Sequence, residues 1–504
     1  MVKIEKIVKQ NKILISLFAA GLLWVAIGGG AHAATISVAA GDDVTNIDST
    51  CSLSEAIENI NAGDANAYPE CAGTGAFGTS DTIQLPNGTV RLMNNLPTLN
   101  NSIIILGGGM GVSIVSGDSQ WSVFQIGNGA SSSTTARDFT VRAYATAGLV
   151  LNSGNTTVER VEVDGNGSVS GGSSMSLGVI ASTADDYNVT IKNVYVHDIS
   201  FGYFTNAFGL TLSVTNDAHM VANIENVTVE DITTQNSGDT AQGIALFNGV
   251  FSGGTSGDLD VSIRNTTIDN IVSLDGNAIG IGVTSFNDDT DTAVQTNVDV
   301  TNVTIRGVST GGTAMVAGGI GNTVAGSANG ATVGSIVNVS NTIIASSSPS
   351  CLATDITSLV SVATGVTPIT TIHSSGGNIT DDNTCTPYFT HNSDQNNIGD
   401  LGTTLGAMGD NGGFVPTIPL LANSLAVDGG VAVSGLVSDA RGSVRPQGSA
   451  FDSGAYESGF TKSSSVGATG NDLAQTGASV PLLYGLTTMI LGLSIVLLKR
   501  SQLL

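Results

Sequence analysis

Basic residues are scarce in this chain: 16 Lys and Arg stand against 41 Asp and Glu in 504 residues. A body with a formal net charge of −25 repels nucleic acid and anionic lipid headgroups and excludes both as partners. The same charge keeps an extracellular protein soluble. Charged residues of either sign make up only 11%, and with ample Val and Ile this excludes general disorder. The four cysteines come with no C-x-x-C pair and no clustered histidines, which excludes a zinc site. Prolines number 10 and aromatics 5%, against 65 glycines and abundant Ser, Thr, Asn and Val. That composition suits short strands and tight turns and leaves little for helices.

Within it a pattern recurs, clearest around Asn193. Val189, Ile191, Val194 and Val196 sit at −4, −2, +1 and +3, so period-2 alternation runs up to the Asn, breaks phase and resumes. Two short strands therefore meet at a corner. The frame recurs at Asn226, Asn265, Asn302 and Asn341, and upstream with Asp138 and Arg160 at the corner. Spacings of 22, 33, 33, 39, 37 and 39 residues mean a fixed strand unit carrying loops of variable length. Units that cannot close their own core must stack, giving a parallel β-helix that rises about 4.8 Å per coil. The five corner asparagines are expected to bond up and down the stack as an amide ladder.

The N-terminus carries Lys3, Lys6, Lys9 and Lys12, an apolar run over 13–27 and then Ala31-His32-Ala33. This predicts a secretory signal peptide over 1–33, cleaved after Ala33, the alternative being an uncleaved anchor with the same body outside. Removing both processed ends takes away six basic residues and one acidic one, leaving 10 against 40, or −30. In an exported chain the even cysteine count favours disulfides. Sequence proximity favours Cys51 with Cys71 and Cys351 with Cys385.

Residues 51–58 read as a short amphipathic helix with Leu53, Ala56, Ile57 and Ile60 on one face, and a strand, turn and strand follow from Asp81. A helix ahead of strands is a sensible cap for the open edges of a first coil. Cys51-Ser52-Leu53-Ser54-Glu55-Ala56-Ile57, followed by Asp81-Thr82-Ile83 and Leu85-Pro86-Asn87-Gly88, resembles the CSLREA-type motif of bacterial surface proteins, with Ser54 where Arg is usual. Val123-Phe124-Gln125-Ile126 likewise resembles the start of the β-helix in such proteins. The resemblance implies an all-β, right-handed parallel β-helix at the cell surface.

Long loops such as 247–258 and 285–291 are where a solenoid usually carries binding surfaces or active sites. Asp288, Asp289 and Asp291 cluster acidic oxygens that could hold Ca²⁺, the one cofactor candidate. The stretch lacks the spaced ligand set and glycine of a calcium loop, so it reads first as a solvated turn. Enzymes that act on polysaccharides need paired carboxylates, or Ca²⁺ with a basic residue. The repeat body offers few basic groups: Arg137, Arg142, Arg160, Lys192, Arg264 and Arg306, with His197 and His219. His197 reads as a solvent-facing or ladder residue. Neither the Gly-His-Gly nor the Arg-Ile-Lys element of polygalacturonases is present.

Residues 405–457, with Asn411-Gly412-Gly413, Ala426-Val427-Asp428-Gly429-Gly430, Arg441-Gly442, Arg445-Pro446 and Gly454-Ala455-Tyr456-Glu457, are similar to the choice-of-anchor Q domain that closes many surface β-helices. Leu425 and Ser453 replace its usual Pro and Ile. Asp439, Arg441, Arg445, Asp452 and Glu457 are expected to form a buried ionic network tying down a terminal coil. A Ser- and Gly-rich linker follows over 458–472. Leu473-Ala474-Gln475-Thr476-Gly477, an apolar run over 480–498 and Lys499-Arg500 then resemble the Leu-Pro-x-Thr-Gly sorting signal, with Ala474 for Pro. That resemblance implies a sortase as processing partner, cutting between Thr476 and Gly477 after the apolar run has held the chain in the membrane. The alternative is an ordinary C-terminal anchor.

The expected organisation is a leader (1–33), N-terminal cap (34–100), β-helix (101–395), terminal coil (396–457), linker (458–472) and sorting signal (473–504). The expected function is non-catalytic: a surface adhesin presenting loops to a glycan or protein. A carbohydrate-active enzyme is the alternative, recognisable by carboxylates converging beside Arg264 or Arg306, and a structural coat is the third.

Overall fold

The computed structural model describes residues 33–462 except 79, 167–173, 202–205, 237, 250–256, 288–292, 312–316, 327–331, 346, 348 and 356–366. The expected sorting signal, the apolar run after it and the leader before Ala33 lie outside the described residues, as do Asp288, Asp289 and Asp291. Among the described residues no helix is long and apolar enough to cross a membrane.

The corner residues decide the path of the chain. All seven, Asp138, Arg160, Asn193, Asn226, Asn265, Asn302 and Asn341, adopt left-handed φ values between 49° and 64°. Asn and Asp tolerate that region better than other side chains with a Cβ. One such residue turns the backbone so that the residues at −2 and +1 both point inward, which is the phase break in the sequence. Ile191, Ile224, Ile263, Val300 and Val339 accordingly align in one buried column. Val196, Val229, Ile268, Ile305 and Ile344 align in another. Each such burial is worth about 1.5–3 kcal/mol.

Every strand pairing is parallel, and the coils have three faces. The first includes Asp186–Lys192, His219–Glu225, Asp258–Arg264, Ala293–Thr301 and Thr332–Ser340. The second follows the corner: Tyr195–His197 with Ile199–Phe201, Thr228–Thr234, Thr267–Ser273, Thr304–Thr310 and Ile343–Ala345. The third, which the sequence pattern does not resolve, runs through Ser174–Ala181, Ala207–Val214, Thr240–Gly249, Asn277–Asn287, Ala317–Gly326 and Cys351–Asp355. The stretches expected as loops from 247 and 285 begin later than the sequence suggests, since third-face strands run on to Gly249 and Asn287; the chain is next on the first face at Asp258 and Ala293. Upstream, the two long strands Phe124–Arg142 and Ala147–Asp164 each pass through all three faces.

The helix α1 spans Leu53–Ala62, capped by Ser52 and Glu55 bonding reciprocally. Its predicted apolar face, Leu53, Ala56, Ile57 and Ile60, joins the main core. Cys51 is bonded to Cys71 and Cys351 to Cys385, with Cα–Cα distances of 5.0 and 4.9 Å. At the far end Asp382 and Thr384 accept the backbone N–H groups of Ser350 and Cys351 where the last strand of the third face begins, while Cys385 and Phe389 bury into the core.

The segment expected as a terminal coil is placed differently. Residues 396–462 add no strand; they form a strap along the corner side of the stack. Gly406 O accepts from Arg306, Pro416 O accepts from Thr228, and the Phe414 ring lies 5.7 Å from the Arg160 guanidinium. The strap then returns past Asn341, Asn265 and Asn302. It has its own small core, Leu401, Leu405, Ile418, Leu420, Ala426 and Val427, closed on Ile343 and Ile379. The expected ionic network is present and buried: Arg445 donates to Glu457 at 2.7 Å, Arg441 donates to Asp439 at 2.6 Å, and the Asp452 carboxylate accepts the Asp428 and Ser458 N–H groups. Asp439, Asp452 and Glu457 are all 0% exposed, so the network holds the strap and is closed to a sugar.

Candidate functional site

The strap breaks the amide ladder. Asn226 donates to Asn193 at 3.1 Å and Asn341 donates to Asn302 at 3.2 Å, but Asn265 turns its amide nitrogen to Ser438 O at 2.9 Å. Asn302 turns its own to Asp452 O and Gly454 O. The expected continuous ladder is thus two rungs with strap contacts between them, because strap carbonyls reach these amides first. At Asp138 and Arg160 an ion pair of 2.6 and 2.9 Å takes the place of a rung.

Four residues after six of the seven corners the second face carries a charged or ionisable group, in register from coil to coil: Arg142, Asp164, His197, Glu230, Asp269 and Arg306, with Ala345 in that place after Asn341. The +4 spacing was visible in the sequence and marks a row that the corner frame alone overlooks. His197 is 9% exposed; its Nδ1 bonds Asp198 at 2.8 Å, its Nε2 bonds Glu162 at 3.2 Å, and its ring stacks on Tyr195 at 4.0 Å. Burial alone would lower its pKa, but the two carboxylates outweigh burial and hold it above its ordinary value. The His197 hydrogen bond lowers the Glu162 pKa. Burial raises that of Glu230, which also bonds the Tyr195 hydroxyl. His197 is therefore a buried ladder residue and not a solvent-facing one.

Beside Arg306 stands one carboxylate, Asp269, which accepts from its Nε at 2.8 Å, and the Gly406 backbone carbonyl accepts from its Nη1. Asp164, His197 and Asp198 could together offer three ligand atoms to a metal, all within 4.8 Å of one another. Arg142 already pairs with Asp164 at 2.7 Å, so the charge a cation would seek is in use. Across this row the polar groups are spent on each other.

A different arrangement lies on the first face, where the strap crosses it. Thr190, Asn223, Ile224, Glu225, Ser262 and Arg264 form one wall of a cleft of about 440 Å³, and strap residues 435–438 form the other. Arg264 is exposed and has no carboxylate partner among the described residues. Glu225, its neighbour in register, is engaged by Lys192 at 3.0 Å on its far side. Ser262 Oγ is buried without a hydrogen-bond partner. On the strap side Leu436 is buried while Val437 is 70% exposed at the rim. The cleft joins residues some 170 positions apart, so spacing alone could not have found it.

No protein-family model matches the chain, and no curated protein matches it. A solved structure that does match is the A-module of mannuronan C-5 epimerase AlgE6 from Azotobacter vinelandii, at 14% identity over 59% of this chain and 91% of that one. Its TM-score of 0.13 is too low for the likeness to carry an argument.

Proposed function

We propose that this protein is an exported, surface-anchored β-helix that binds an extracellular glycan without transforming it, and that the cleft between the first face and the strap is the seat of binding. One observation carries the reading: Arg264 stands exposed in the cleft with no carboxylate partner among the described residues, while the ionisable groups on the second face are already paired. A guanidinium not committed to a carboxylate of the protein is free to make charge-assisted hydrogen bonds to a ligand. Both nitrogens of His197 are bonded to carboxylates, which leaves it no lone pair to act as a base.

In the same reading the leader is removed after Ala33, and a sortase joins Thr476 to the envelope. A glycan array probed with residues 34–462, reading bound sugar and released product together, tests the binding claim; retained glycan without product is the expected result. Released product would instead favour acid–base chemistry at Glu230, whose carboxylate accepts from the Tyr195 hydroxyl. That second reading rests on the raised Glu230 carboxyl, a group able to stay protonated at higher pH than an ordinary carboxylate.

A further inference from the structure

We propose that the cleft accepts a carboxylate-bearing sugar at the end of a glycan chain, a refinement that rests on the binding reading above. The guanidinium of Arg264 is a planar donor fork suited to a carboxylate, and here it is open to solvent with its in-register acid, Glu225, drawn off by Lys192. Beside it the exposed Thr190 and Asn223 supply a hydroxyl and an amide, the complement of sugar hydroxyls. Val437, exposed at the rim, offers the apolar edge on which a sugar ring can rest. At about 440 Å³ the cleft falls within the range of small-molecule sites, with room for a terminal unit and its neighbour but not for an enclosed chain.

The surroundings set the charge of the ligand. Along the same face Asp258, Asp260 and Asp299 are exposed or half-exposed, and the whole chain is strongly acidic. A polyanion laid across the face would meet these carboxylates in succession, and a doubly charged phosphate would meet Glu225. A single monoanion at a chain end gains Arg264 and avoids most of the repulsion.

The test titrates the full-length chain in detergent, by calorimetry at low salt, with a trisaccharide ending in a uronic acid and with its carboxyl-reduced neutral counterpart. The wild type should prefer the acidic probe by about tenfold, the scale of one charge-assisted hydrogen-bond pair. Arg264→Gln should bring that ratio close to one, and Glu225→Gln should raise it, an opposite change that a merely structural role would not produce. Equal binding of both probes by the wild type, binding of the neutral probe alone, or an unchanged ratio in Arg264→Gln overturns the inference and leaves glycan binding standing. Failure to bind these probes and every sugar on the array overturns both.

Discussion

Each corner asparagine does two jobs, adopting a left-handed backbone and bonding through its amide, and two substitutions at one position separate them. Asn302→Ala loses both the favourable φ and the bonds to Asp452 O and Gly454 O, a cost of about 2–4 kcal/mol. Asn302→Gly keeps the backbone freedom and should recover about 1 kcal/mol of that loss in urea midpoints. The corner itself was legible in the sequence from the phase break in apolar alternation; the left-handed backbone that makes it was not. Nor were the strap partners of the amides, since they lie 90 to 173 residues downstream. His197 supports a second residue-scale prediction. A raised native pKa means that the stability supplied by the charged imidazole is complete below its ordinary value of 6.5 and fades as pH rises through the native value. His197→Gln should therefore flatten the fall in urea midpoint from neutral to mildly alkaline pH; equal slopes in both proteins would contradict the ion pairing.

Faces meet through a column of glycines that composition counts but does not locate. Gly209, Gly243, Gly280 and Gly319 align on the third face, and a Cβ at Gly280 would lie 2.6 Å from Gly319 O and 2.8 Å from Ile305 Cγ2. Gly280→Ala should destabilise the stack by about 1–3 kcal/mol through overpacking. Gly409→Ala on the strap has open space around it and should change stability by less than about 0.5 kcal/mol, as read in the same unfolding experiment. A second bend was also within reach of the sequence: Asp198, Asp231, Asn270 and Gly307 all have left-handed φ and each stands five residues after a corner asparagine. The third face escaped the pattern because no residue type marks where it begins. The strap escaped because it has no strand periodicity at all.

Across the whole molecule, stacking, two disulfides and closed ends give a stiff body that orders a binding surface before any ligand arrives, which lowers the entropy lost on association. The fold was legible because a repeated apolar frame leaves few ways to bury its core. The cleft was not legible, because it exists only where the strap returns across the first face. Hydrogen exchange of the full-length chain, with and without a bound acidic-ended glycan, tests the central claim most directly. Slowed exchange centred on His219–Glu225, Asp258–Arg264 and residues 435–438 is the result the account predicts. Protection centred instead on Tyr195–His197 and Thr228–Thr234, with the cleft unchanged, would contradict it.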